Sequence, residues 1–174
     1  VDPGEPIPEK LTEITGITDA MVQGQPSFRD LKWEIYGRLR GRVFVAYNAP
    51  FDLGFLHAEM ARAGLTLPAA PILDPLVWAR QLLVGQRKHN LGAVCDKLGV
   101  SLENAHRAVD DAEAAGKVLL RFADKVAPDL RTLLADQEGW SIAQEAAFAE
   151  RRAARVAKAP AEEEEAVPQT GLFG

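Results

Sequence analysis

Residues 43–56, VFVAYNAPFDLGFL, decide the fold prediction for this chain. The run over 43–47 is short, uninterrupted and rich in β-branched and aromatic side chains, which predicts a strand buried on both faces. Residues 48–50 break that run, and a helix is predicted over about 52–63. Because ligands of α/β sheets bind beyond the carboxyl ends of the strands, we expect a site where this strand meets this helix.

Helices and strands alternate on both sides of this segment. The further predicted elements are a helix that Ser27 and Asp30 open with a capping box, a strand over 71–75, a helix over 76–83, a helix between Asn90 and Gly99, and a helix from about Asp110. Strands separated by helices indicate an α/β fold with a mostly parallel sheet.

The composition limits the class of protein. The 174 residues, 47% of them hydrophobic, suffice for one domain with a core but not for two full domains. No run of 18 apolar residues predicts a membrane span, and the single Cys95 excludes an internal disulfide and favours the cytoplasm. Of the 25 acidic residues four follow Lys158, so residues 1–158 carry 21 acidic and 20 basic residues. The net charge of −5 therefore does not exclude nucleic acid as a partner.

Residues that suit hydrolysis with a metal ion occur in two places. Asp52 lies where the first strand meets its helix, and Asp110 and Asp111 lie at the start of a later helix, shortly after His106. Carboxylates are ligands for Mg²⁺ or Mn²⁺, and a histidine can take a proton from water near neutral pH. Taken alone, Asp52 is better explained as the cap of a helix that begins at Leu53. Taken alone, the later acids are equally explained as helix caps and His106 as a loop residue.

Three stretches resemble the DEDDh class of DnaQ-like 3′–5′ exonucleases, which includes the proofreading epsilon subunit of bacterial DNA polymerase III. Residues 3–22, PGEPIPEKLTEITGITDAMV, resemble the family's lead into its first helix. Residues 45–56 resemble its second exonuclease motif, and 106–119, HRAVDDAEAAGKVL, its third. The resemblance covers residues 1 to about 124 and implies a ribonuclease H-like exonuclease fold.

The resemblance implies a phosphodiester hydrolysis assisted by two Mg²⁺ or Mn²⁺ ions. Asp52 and Asp111 would bind the metals, the latter chosen over Asp110 by its spacing from His106. His106 would be the general base. The implied partners are a single-stranded or frayed DNA 3′ end and DNA polymerase III.

Two further residues of the second motif are candidates for substrate binding. Asn48 would orient the DNA end or the motif loop, and Phe51 would contact the substrate. Packing of Phe51 and Phe55 in the core is the competing interpretation, and the one that we favour from the sequence.

The family's first motif, an Asp-x-Glu on the first strand of the sheet, has no counterpart ahead of residues 3–22. Asp2 and Glu5 have the wrong spacing and lie at the wrong place. We therefore expect an N-terminally incomplete domain whose first strands are missing, with open edges on the strand over 43–47. Such a chain would bind both metals poorly.

The predicted domains are the exonuclease domain over 1–127, a helical extension over 128–158 and a disordered acidic tail over 159–174. The extension would contain a short helix over 130–134 and a second helix that Ser141 and Gln144 open with a capping-box pattern. The tail resembles the short peptide by which bacterial replication proteins bind the sliding clamp. Its binding residues would be Gln169, Leu172 and Phe173.

Three functions agree with these observations. The first is a DNA 3′–5′ exonuclease for replication proofreading or repair. The second is a catalytically inactive, clamp-associated adaptor, which the missing first motif favours. The third is a related exoribonuclease, because the same type of site can cut RNA.

Overall fold

The computed structural model describes residues 1–102 and 107–158. In chain order its elements are α1 (Glu9–Thr15), α2 (Asp19–Val22), α3 (Phe28–Leu39), β1 (Phe44–Val45), α4 (Ala49–Arg62), β2 (Ile72–Leu73), α5 (Pro75–Leu82), α6 (Leu91–Leu98), α7 (Ala108–Arg121), a 3-10 turn (Ala123–Lys125) and α8 (Leu130–Lys158).

The two strands form a parallel pair, with Phe44 opposite Ile72 and Val45 opposite Leu73. This agrees with the predicted α/β fold and places the carboxyl ends of β1 and β2 at the same edge. The prediction that residues 43–47 are buried on both faces is wrong. Phe44 and Val45 are only half-buried, because β1 has a single neighbouring strand within the described residues.

The core lies among β2, α5, α6, α7 and the first turns of α8. Its largest fully buried side chains include Trp78 and Phe122, which are 1% and 0% exposed. By contrast, α1, α2 and α3 contribute no buried residue. The elements from β2 to the first turns of α8 are therefore packed like a protein interior, whereas α1, α2 and α3 lie at the surface.

Local capping signals place several helix ends where the sequence predicts them. Ser27 and Asp30 form a complete capping box at the start of α3. The Asn90 side chain accepts a hydrogen bond from the Ala93 N–H at the start of α6, and Gly99 ends that helix in the left-handed conformation. These contacts satisfy backbone groups that a helix end leaves without partners.

Helix α8 corrects the prediction of two separate helices after residue 128. It is continuous from Leu130 to Lys158, and Ser141 lies inside it, with its hydroxyl 3.5 Å from the Glu145 carboxylate. A capping-box pattern starts a helix only where the preceding chain is not helical, and residues 130–140 contain no proline to interrupt it. The described residues up to 140 form one compact unit, and the described residues 141–158 belong to a second. Within the described residues, no helix combines the length and the apolar character needed to cross a membrane.

Candidate functional site

The turn between β1 and α4 carries the candidate residues Asn48 and Asp52. Asn48 has φ 69° and ψ 50°, the left-handed conformation that residues other than glycine rarely adopt. Helix α4 then begins at Ala49, so Asn48 holds the N-cap position and Asp52 lies in the first turn. The interpretation of Asp52 as the cap of a helix beginning at Leu53 is therefore wrong.

The carboxylate of Asp74, which follows β2, accepts hydrogen bonds from both backbone amides of this turn. Asp74 Oδ1 accepts from the Asn48 N–H at 2.9 Å, and Oδ2 accepts from the Ala49 N–H at 3.0 Å. Oδ1 also accepts from the Leu76 N–H at 2.9 Å, which caps α5. Sequence reasoning did not assign Asp74 to the site, although an aspartate before a proline at a strand end is a known helix-start signal.

Gln137 of α8 supports the same corner from the other side. Its Oε1 accepts from the Asp74 N–H and from Trp78 Nε1, both at 2.8 Å. Its Nε2 donates to the Ile72 carbonyl at 3.0 Å. One amide side chain thus ties the end of β2 and the buried indole together, which keeps their polar groups satisfied inside the core.

Asp52 is half-buried, and its environment favours the protonated carboxyl group. Partial burial raises the pKa of Asp52 above its ordinary value, and the negative charge of Asp74 adds to this rise. A backbone hydrogen bond acts in the opposite direction. A nearby cation would act against this rise, because it favours the charged carboxylate.

Asp111 lies in the first turn of α7, as the sequence predicts, and is half-buried. Its backbone N–H donates to the Arg107 carbonyl at 2.9 Å. Its charge also contributes to the raised pKa of the Cys95 thiol, which places the start of α7 near α6. His106, the predicted general base, lies outside the described residues.

The described residues do not complete a metal centre. Across residues 1–102 and 107–158, no three His, Cys, Asp or Glu side chains come close enough to hold an ion together. Asp52 and Asp111 each have the oxygen donors that Mg²⁺ prefers, but among the described residues neither belongs to a cluster of three possible ligands. The predicted two-metal centre therefore does not fit the described residues alone.

The aromatic residues of the second motif are exposed. Phe51 and Phe55 are 62% and 61% exposed, and their rings meet edge to face with centroids 5.0 Å apart. Packing of these two rings in the core is therefore a wrong interpretation. Residues four apart share one helix face, and here the buried face of α4 is the one that carries Ala49 and Met60. Binding of substrate by Phe51 and by the exposed Asn48 remains a prediction.

A short basic loop is attached to the end of β1. The Tyr47 hydroxyl donates to the His89 carbonyl at 2.6 Å, and burial raises the pKa of Tyr47 above its ordinary value. The neighbouring Arg87 and Lys88 are exposed. Because Tyr47 directly precedes Asn48, this bond connects a pair of exposed cations to the candidate site. The tail residues Gln169, Leu172 and Phe173 lie outside the described residues.

The α/β fold and the acidic turn can be compared with known protein families and solved structures. A family model described as Exonuclease (RNase T) matches residues 1–119. The chain belongs to this exonuclease family, which confirms the resemblance inferred from the motifs. The solved structure of exonuclease X in complex with 5′ overhanging duplex DNA is 23% identical, with a TM-score of 0.60 over 79% of this chain and 78% of that one. The chain therefore has an exonuclease-type α/β fold.

The sequence relatives are DNA polymerases. The chain is 39% identical over 122 residues to the DNA polymerase III PolC-type protein of Streptococcus suis, a match that covers 70% of this chain. It is 43% identical over 119 residues, or 68% of the chain, to the protein of the same name from Clostridium perfringens. The matched segment spans 8% of the length of each of these relatives. The chain is thus homologous to one segment of PolC-type polymerases.

Proposed function

We propose that this chain is a 3′–5′ exonuclease domain that hydrolyses phosphodiester bonds at DNA 3′ ends in replication proofreading or repair. The observation that carries the proposal is the Asn48–Asp52 turn, which presents a half-buried carboxylate at the carboxyl ends of two parallel strands inside the segment matched by the exonuclease family. The homology to PolC-type polymerases supports DNA polymerase III as a partner. Together with the single cysteine, it also supports a place in the cytoplasm.

In this hydrolysis, several residues of the chain would have separate roles. Asp52 and Asp111 would bind Mg²⁺ or Mn²⁺, and further ligands are required because the described residues do not close the centre. His106 would take a proton from the attacking water. The exposed Phe51 would stack on a base, since an aromatic face can bind any base of a single strand, and Asn48 would contact the strand end.

The test is digestion of single-stranded DNA, labelled at either end, in Mg²⁺ or Mn²⁺ and with a chelator. We expect removal of nucleotides from the 3′ end that the chelator abolishes. Asp52→Asn and Asp111→Asn should each lower the rate by about 10²-fold, because loss even of groups that only orient a metal ligand costs 10–100-fold. His106→Ala should lower it by about 10²–10⁴-fold, the usual contribution of a general base.

Asp110→Asn is the matched control, because Asp110 lies beside Asp111 in the same turn and should keep the wild-type rate. If the wild-type chain leaves DNA intact, or if Asp52→Asn digests it at the wild-type rate, the proposal is wrong. A single-stranded RNA of the same sequence tests the exoribonuclease alternative, which faster digestion of RNA would favour.

One observation favours a second candidate, a clamp-associated adaptor without catalytic activity. It is the absence, among residues 1–102 and 107–158, of three ligands close enough to hold a metal. Calorimetric titration with Mn²⁺ separates the two candidates. Binding that Asp52→Asn weakens supports the nuclease, whereas no binding together with no digestion supports the adaptor. In both candidates Gln169, Leu172 and Phe173 would bind the sliding clamp.

A further inference from the structure

Asp74 stands apart from every other residue of the described chain. Among those residues it is the only polar or charged one that is buried, with 5% of its surface exposed. A buried carboxylate is costly unless hydrogen bonds compensate it, and three backbone N–H groups do so here, those of Asn48, Ala49 and Leu76. Capping α5 through Leu76 needs only one of these bonds. The other two bonds therefore go to the turn that follows β1.

The turn that receives these bonds is the one place where such support is needed. Asn48 is the only residue other than glycine with a positive φ among the described residues. Residues held in sparsely populated backbone conformations persist only where the surrounding structure enforces them. The Asp74 carboxylate supplies that enforcement, because one oxygen holds the N–H of Asn48 while the other holds the N–H of Ala49, the first residue of α4.

We propose that Asp74 is a positioning residue of the nuclease site: its carboxylate holds the left-handed turn at Asn48 and thereby sets the direction in which α4 presents Asp52. The consequence for Asp52 rests on the proposed function. The holding of the turn does not, and the two parts have separate readouts.

Asp74→Ser separates positioning from capping. Serine is a good N-cap residue, so it can still serve the Leu76 N–H, but its single short oxygen cannot bridge Asn48 and Ala49. In NMR spectra of the full chain we expect Asn48 to lose the strong nuclear Overhauser effect between its own amide and α protons that marks a positive φ. The amides of Asn48 and Ala49 should exchange about tenfold faster, as expected for a lost hydrogen bond.

Asn48→Gly supplies the rescue, because glycine adopts a positive φ without support. If Asp74 acts by holding the turn, Asp74→Ser should lower Tm less in the Asn48→Gly background than in the wild type. A role limited to capping α5 predicts the same loss of Tm in both backgrounds, and that result would overturn the proposal. Should Asp74→Ser not fold alone, recovery of folding in the double variant is the same rescue.

Gln137→Ala is the control for general damage at this corner, because Gln137 bonds the Asp74 N–H and Trp78 but neither amide of the turn. It should lower Tm while the signature of positive φ at Asn48 persists. In the digestion assay, Asp74→Ser should lower kcat by about tenfold or more, because a misplaced reacting group costs rate. A Gln137→Ala variant of similar Tm should keep its kcat.

The outcomes are distinguishable. A wild-type chain that digests no DNA contradicts the proposed function, while the NMR and rescue experiments still decide whether Asp74 holds the turn. An Asp74→Ser variant that retains the positive φ of Asn48 contradicts the holding role. A variant that loses the turn but keeps the wild-type kcat contradicts positioning of Asp52.

Discussion

Cys95 is a residue of the core whose side chain is almost fully shielded from solvent. Its side chain is 1% exposed within α6, and burial, followed by the charges of Asp96 and Asp111, raises the pKa of its thiol. The thiolate is the reactive form of cysteine. A buried thiol that stays protonated should therefore react only when the chain opens.

We expect a disulfide-forming aromatic reagent to label native Cys95 at least about 10³-fold more slowly than the unfolded chain, which is the lower limit set by a typical stability. The free energy of unfolding should also fall as the pH rises above the ordinary thiol pKa, because the unfolded chain then loses a proton that the native chain retains. Absorbance of the released aromatic thiolate measures the labelling rate. Denaturant titrations at several pH values measure the change in the free energy of unfolding.

Val84→Cys in a Cys95→Ala background provides the matched control, because Val84 is 91% exposed and its replacement should react at the rate of a free thiol. Fast labelling of Cys95 in the native wild type would show that α6 opens locally and would contradict this view of the core.

At the scale of elements, the first turns of α8 contribute both a core residue and a hydrogen-bonding residue to the fold. Leu133 lies in the core with 8% of its surface exposed. Gln137 makes two hydrogen bonds to the end of β2 and a third to the Trp78 indole of α5. Both Leu133 and Gln137 belong to the first compact unit. The first turns of α8 are therefore part of the fold rather than an appended segment.

Truncation should show which part of α8 stabilises the fold. A chain of residues 1–140 should keep most of its stability, whereas a chain of residues 1–129 should lose at least about 2 kcal/mol, since burial of one leucine alone contributes about 1.5–3 kcal/mol. Urea titration followed by circular dichroism measures the difference. Leu133→Ala in the 1–140 chain should cost about 2–5 kcal/mol. Equal stability of the two truncated chains would show that α8 does not support the core.

At the scale of the whole molecule, charge separates the body from the end of the chain. Residues 1–158 are nearly neutral, and the four glutamates Glu162 to Glu165 precede the clamp-binding pattern. Like charges keep a segment extended and away from phosphates. In the proposed function, these charges would keep the residues that follow them, among them Leu172 and Phe173, away from the phosphates of DNA.

We expect the chain, immobilised through its N-terminus, to capture a purified bacterial sliding clamp, and Leu172→Ala combined with Phe173→Ala to abolish capture, because a few apolar anchors carry most of the energy of such contacts. Thr170→Ala, at a variable position of the pattern, should capture normally. Surface plasmon resonance measures both. Capture that persists without Leu172 and Phe173 would contradict the clamp-binding interpretation.

The success of the sequence-based predictions followed the range of the interactions involved. The cap at Ser27 and the stop at Gly99 were predicted, because capping chemistry acts within a few residues. The parallel pairing of the strands was predicted from the helices that separate them along the chain. The continuous α8 and the exposed rings of Phe51 and Phe55 were not predicted. A local pattern at Ser141 resembles a helix start wherever it occurs, and an apolar ring shows its exposure only once its neighbours are known.

By itself, the sequence determined the family and the alternation of helices and strands, because residue types at fixed separations are properties of the chain alone. Through the resemblance it also predicted Asp52 and Asp111 as metal ligands, the latter chosen over Asp110 by its spacing from His106. Only the tertiary structure decided that Asp74 accepts hydrogen bonds from the Asn48 and Ala49 amides and that Gln137 bonds the end of β2. It also decided that, among the described residues, Asp52 and Asp111 belong to no cluster of three possible metal ligands. The reason is physical: Asp74 and Asn48 lie 26 residues apart. Their contact exists only because β1 and β2 pair in parallel and bring their carboxyl ends together.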